Sequence, residues 1–278
     1  MSVKSKAFRL MIYVLAVYVL LCAFMYFNQR NMQYFPQRVT EFNPNSYGLA
    51  MQVVNTTTAD GLTLKHWYAP AQPDRPTIVY FHGNAGFVGT RRDRAKALIG
   101  RGLGLYLAEY RGYGVNGGAP TERGLILDAQ SVMEDLKSRG VDNIVIYGES
   151  IGTGVAIQIA TQYTVKAVIL EAPFTSATDI AQNLYPFIPV KFLMKDQFKS
   201  IDHIRNIDAP LLFMHGTHDS VIPIKFSEAL FDHARGSKTR HLFDGVGHII
   251  EFDTDIALNV ILDFLKDIKV LKVKGNGH

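Results

Sequence analysis

The chain has 278 residues, 47% of them hydrophobic, and a formal net charge of +4. That length suits one large α/β domain with a buried core and leaves little for a second. The basic residues are scattered without basic–aromatic clusters, which argues against a nucleic-acid footprint, and a single cysteine excludes an intramolecular disulfide.

Residues 10–27 form a run of 18 residues without a charge, and Cys22 lies inside it. As a helix rising about 1.5 Å per residue they span roughly 27 Å, close to the hydrocarbon thickness of a bilayer. A cleaved signal peptide has an apolar region of about 7–15 residues, shorter than this one. No small-x-small pair ends the run, and Leu21 precedes Cys22 where a lipoprotein site needs a small residue. The run reads as a retained single-pass anchor at residues 10–27 after a basic N-terminus at 1–9. Lys4, Lys6 and Arg9 before it place the N-terminus in the cytoplasm and the rest of the chain on the far side. Residues 28–48 read as a linker to a domain at 49–271, with 272–278 as a tail.

Within that domain, 51–54 and 62–67 read as an antiparallel pair around Asp60-Gly61. Continuous β-rich runs follow at 77–81, 103–108, 144–147, 167–170, 211–214 and 240–243. Runs apolar on both faces fit a parallel sheet covered by helices on each side. Helical patterns fall between them. Thr121 caps a stretch with Leu125, Ala129, Val132 and Leu136 on one face, ending at Gly140; others lie at 155–163, 226–233 and from about Thr254 onward. Strand–helix alternation of this kind is the α/β signature.

The chemistry concentrates in the loops. The run 144–147 leads into Gly148-Glu149-Ser150-Ile151-Gly152 and then into a helix, the strand–turn–helix context of G-x-S-x-G. Gly148 and Gly152 are expected where the turn is too sharp for side chains, leaving the Ser150 hydroxyl exposed as nucleophile. Serine needs a base oriented by a carboxylate. His248, after the last strand, and Asp219, in His215-Gly-Thr-His-Asp219, are the candidates. The oxyanion donors are expected from the Ile151 N–H and, in the loop His82-Gly-Asn-Ala-Gly86, from the Asn84 N–H. The remaining histidines read as structural, and none has a metal-ligand spacing, so no metal is expected. Gly112-Tyr-Gly114-Val-Asn-Gly117 matches a dinucleotide fingerprint but opens no helix and reads as a loop.

At these residues the chain resembles the single-pass, BEM46-like branch of the α/β-hydrolases, related to the mammalian abhydrolase-domain proteins. The strings are His82-Gly-Asn-Ala-Gly86, Tyr110-Arg-Gly-Tyr-Gly114, Gly148-Glu-Ser-Ile-Gly152, Glu171-Ala-Pro-Phe-Thr175, His215-Gly-Thr-His-Asp219, Ile222-Pro223 and Gly247-His248. Two departures stand out: Glu109 replaces the usual Asp before Tyr-Arg-Gly, and Ile249-Ile250 follows His248 where a polar pair is common. The resemblance implies an α/β-hydrolase fold with a cap insertion at about 173–206. It also implies hydrolysis of an acyl ester or thioester, lipids included, through an acyl-enzyme without a cofactor. A serine peptidase and an inactive scaffold are the alternatives. The Ser, Asp, His order and the intact elbow glycines favour an enzyme. Phe187 and Phe192, in the apolar insertion, are the candidates to line an acyl pocket facing the bilayer.

Overall fold

The computed structural model describes residues 3–252 and 255–271. In chain order it contains α1 (Val3–Gln33), β1 (Phe35–Pro36), β2 (Gln52–Thr57), β3 (Thr63–Ala69), β4 (Thr77–Phe81), β5 (Ala85–Gly86), α2 (Arg92–Gly100) and β6 (Gly104–Ala108). Then come α3 (Glu122–Ser138), β7 (Ile144–Glu149), α4 (Ile151–Ala160), β8 (Ala167–Glu171), α5 (Ala177–Leu184), α6 (Val190–Leu193) and α7 (Ser200–His203). The chain continues through β9 (Leu211–Gly216), α8 (Ile224–His233), β10 (Lys238–Phe243) and α9 (Asp255–Asp267).

The main sheet runs β10-β9-β8-β7-β4-β6-β3-β2, parallel from β10 to β6 and antiparallel at the β6–β3 and β3–β2 pairs. Its central strands are buried on both faces because helices cover both. In β4, Val79 and Phe81 face a core with Leu125 of α3 and Val155 of α4, while Ile78 and Tyr80 face one with Leu98 of α2 and Ile261 of α9. Each such side chain contributes about 1.5–3 kcal/mol by leaving water. Thr121 caps α3 as expected, its hydroxyl accepting the Gly124 N–H. The first hairpin turns through residues 58–62, a longer loop than a two-residue Asp-Gly turn. Helix α4 starts at Ile151, four residues earlier than the apolar periodicity suggested, because it opens directly on the turn. The expected start of the last helix at Thr254 and the tail at 272–278 lie outside the described residues.

The largest departure from expectation is at the N-terminus. Residues 28–33, expected in a linker, continue α1 without a break. Gln29 donates to the Leu193 carbonyl at 3.1 Å and accepts the Lys195 N–H at 2.6 Å, while Arg30 pairs with Asp196 at 2.8 Å. Polar side chains thus stitch the end of α1 to the insertion between β8 and β9. Immediately after α1, β1 pairs in parallel with β5, matching Phe35 to Ala85 and Pro36 to Gly86. This two-stranded sheet braces the loop that leaves β4.

Candidate active site

Ser150, Asp219, His248 and Asn84 all follow the C-terminal ends of strands, β7, β9, β10 and β4 respectively. Open parallel sheets place ligand sites along that edge. Ser150 sits at φ 53° and ψ −121°, a strained conformation for a residue with a side chain, and lifts its hydroxyl out of the turn. The flanking glycines are required by space. A Cβ on Gly148 would approach the Gly152 carbonyl to 2.6 Å, and one on Gly152 would overlap the Phe81 carbonyl. The turn is thus pressed against the end of β4.

The three expected residues come together across 98 and 29 positions of sequence. His248 Nδ1 lies 2.7 Å from Asp219 Oδ2 and its Nε2 lies 3.1 Å from Ser150 Oγ. With Nδ1–H donated to the carboxylate, Nε2 is left to accept the serine proton. Asp219 Oδ1 accepts the N–H groups of Val221 and Ile222, both at 2.8 Å. Burial pushes the Asp219 carboxyl up, but hydrogen bonds from His215, His248 and the Ile222 amide outweigh it and hold it well below the usual carboxylate range. Burial likewise pulls His248 down, and the hydrogen bond and charge of Asp219 more than offset it, so His248 stands above its ordinary value.

Asn84 and Ile151 line the same cavity as Ser150. The Ile151 N–H belongs to the first turn of α4, where amides have no intrahelical acceptor and the helix dipole favours negative charge. The loop bearing Asn84 is held from three sides. Its carbonyl accepts from Phe35 N–H at 2.9 Å and Tyr113 Oη at 2.8 Å, while its side chain donates to the Gln33 carbonyl at 3.1 Å. Glu109 bonds His82 Nε2 at 2.9 Å and accepts the Val88 N–H at 3.0 Å, spanning that loop.

Three contributors were missed in the sequence. His215, expected only to end a strand, bonds the Ile222 carbonyl from Nε2 at 3.0 Å, and the same nitrogen lies 3.1 Å from Asp219 Oδ2. Its position four residues before Asp219 was the available signal. Glu171 and Arg94 form a buried ion pair, with Tyr147 also bonded to Glu171. That pair grips both backbone groups of Ile250, which compensates for the missing polar pair after His248.

A cavity of about 320 Å³ opens beside Ser150. Its walls come from the insertion, including Ile180, Leu184 and Ile188, from Phe174, and from Met25 and Met32 of α1. Among the described residues, no lining side chain is charged. Phe187 and Phe192, expected in this lining, are not part of it. They are 86% and 90% exposed and point outward, because Tyr185, Ile188, Val190 and Leu193 turn the other side of the segment inward.

Fold and site together define an α/β-hydrolase. The family model of the serine aminopeptidase S33 hydrolases, Hydrolase_4, matches residues 72–198 and 190–255. The chain belongs to this family, as a BEM46-like member of the α/β-hydrolases. Protein bem46 of Schizosaccharomyces pombe is 31% identical over 288 residues, covering 96% of each chain. Human alpha/beta hydrolase domain-containing protein 17B is 32% identical over 207 residues, covering 72% of this chain and 69% of its own. A Pyrococcus furiosus esterase, Pf2001, shares the fold with a TM-score of 0.70 at 18% identity, over 86% of this chain and 98% of that one.

Proposed function

We propose that the chain is a membrane-anchored serine hydrolase that cleaves carboxylic ester or thioester bonds of acyl substrates, lipids among them. The observation that carries this reading is the hydrogen-bonded chain Asp219–His248–Ser150 opening onto an uncharged cavity. Ser150 Oγ attacks the acyl carbonyl as His248 Nε2 takes its proton. The developing oxyanion is met by the N–H groups of Asn84 and Ile151. Collapse breaks the bond to the alcohol or thiol, which leaves with the proton from His248. Water then gives a proton to His248 and attacks the acyl-enzyme, and the acid is released as Ser150 regains its proton. No cofactor enters these steps.

The family's description includes aminopeptidases. Binding a substrate ammonium in an apolar cavity calls for a paired carboxylate, and among the described residues none lines this one; an acyl chain suits these walls better. Helix α1 supplies the anchor, with an 18-residue stretch of mean hydropathy 2.4. The basic residues before it place the N-terminus in the cytoplasm and the domain on the periplasmic, extracellular or luminal side. A fluorophosphonate probe tests the reading: it labels the wild-type chain and leaves Ser150→Ala unlabelled. No labelling of the folded wild-type chain would favour a non-catalytic scaffold instead.

A further inference from the structure

The tip of the insertion between α5 and α7 exposes Phe187 and Phe192 almost completely while its other side walls the cavity. Two aromatic side chains held in water cost what their burial would return, so an exposed apolar tip points to a partner. The contact between this tip and α1 identifies that partner. Tyr18 Oη donates to the Phe187 carbonyl at 2.8 Å. Tyr18 stands nine residues before Phe27, the end of the uncharged run. At about 1.5 Å per residue the contact therefore lies roughly 13 Å along α1 from the end of that run, within the ~15 Å of one leaflet's hydrocarbon.

The geometry points to a second membrane-seated element: the cap tip around Phe187 and Phe192 is embedded in the same leaflet as the C-terminal half of the α1 apolar run, so that acyl chains reach the cavity from within the bilayer. This rests on the reading of α1 as the membrane anchor.

Hydrocarbon demands that the polar groups of irregular backbone be satisfied internally, and most of those in the tip are. Pro186 and Pro189 have no N–H to satisfy. The N–H groups of Tyr185, Ile188, Val190, Phe192, Leu193 and Met194 all donate to carbonyls of the insertion. The carbonyls of Pro186, Phe187 and Leu193 accept from Gln182, Tyr18 and Gln29. Charge is arranged to match. Lys191, the cation between the two phenylalanines, lines a separate polar cleft with Asp179 and Asp202. Lys195 lies over the Tyr26 ring at 4.1 Å, near the polar end of α1 where an ammonium reaches the headgroups.

The test uses the full chain with Cys22→Ser, so that single cysteines can be labelled with an environment-sensitive fluorophore after reconstitution into phosphatidylcholine vesicles. Phe187→Cys and Phe192→Cys report on the tip, Val14→Cys on the anchor and Glu228→Cys on the domain surface. The labels at 187 and 192 are expected to shift their emission to the blue and to be quenched by lipids carrying nitroxides on the acyl chain, as is the label at 14. The label at 228 stays aqueous and unquenched. Aqueous, unquenched labels at 187 and 192 beside a quenched label at 14 overturn the embedded tip and leave the anchor standing. An unquenched label at 14 overturns both. Measuring 187 and 192 separately, each in a variant whose circular dichroism matches the parent, keeps a folding defect from deciding the outcome.

Discussion

The carboxylate of Glu171 accepts the backbone N–H of Ile250 at 3.3 Å, two residues beyond His248. The same carboxylate pairs with Arg94, whose guanidinium donates to the Ile250 carbonyl at 2.8 Å. One buried ion pair therefore holds both polar groups of a peptide segment next to the proposed base. Glu171→Leu strands the buried guanidinium, a loss of about 3–5 kcal/mol in stability by urea unfolding. The double variant Arg94→Met with Glu171→Leu is expected to lose less than the sum of the single variants. Full additivity would show that the pair does not act as a unit.

Ser150→Ala is expected to abolish esterase turnover with the fold retained by circular dichroism. Asp219→Asn should lower kcat by about 10⁴, because the amide no longer selects the tautomer with Nδ1–H. Near-full activity of Asp219→Asn would move the acid role to another carboxylate.

The pH profile follows from the charge pair. Asp219 holds His248 above its ordinary value, and only neutral His248 can act as base, so kcat/KM should rise with pH through a point above about 6.5. In Asp219→Asn the residual activity loses that support, and its acid limb should move to lower pH. The stability linkage has matching signs. The contribution of the depressed Asp219 carboxyl is present above its unfolded value and is lost as pH falls through the folded one. That of the raised His248 is present below its unfolded value and is lost as pH rises through the folded one. An acid limb at or below about pH 6.5 in the wild type would contradict this picture.

In the proposed function the acyl chain lies along the cavity walls. Each methylene buried contributes about 0.8 kcal/mol, or about fourfold in kcat/KM, until the space is full. On p-nitrophenyl esters the rate constant should therefore climb beyond butyrate. Ile180→Trp, which fills part of the cavity, should flatten the climb while acetate turnover changes little. A profile peaking at acetate in the wild type would remove the acyl-chain role.

Orientation can be read by proteolysis. With the N-terminus cytoplasmic, protease added outside intact cells or spheroplasts should digest the domain and spare α1. Complete protection until detergent is added would reverse the assignment.

Much of the site was legible because its determinants are local. The strained turn at Ser150 needs glycine two residues to either side, and a strand must lead in and a helix lead out, so one short string marks the proposed nucleophile. The order Ser150, Asp219, His248 follows from which parallel strands end at one edge, and continuous β-rich runs revealed those strands. Rotation of short or Pro-broken segments was not legible. Phe187 and Phe192 share the composition of a pocket lining, yet the 184–193 segment turns Tyr185, Ile188, Val190 and Leu193 to the cavity instead and meets Tyr18, 169 residues before Phe187, through its backbone. Likewise residues 28–33 read from the sequence as part of the linker at 28–48. Gln29, Arg30 and Gln33 instead find partners on the insertion and keep the helix going until it walls the cavity. Local patterning sets where a turn or strand must form, whereas the face that a side chain presents is settled by partners brought near only when the sheet assembles.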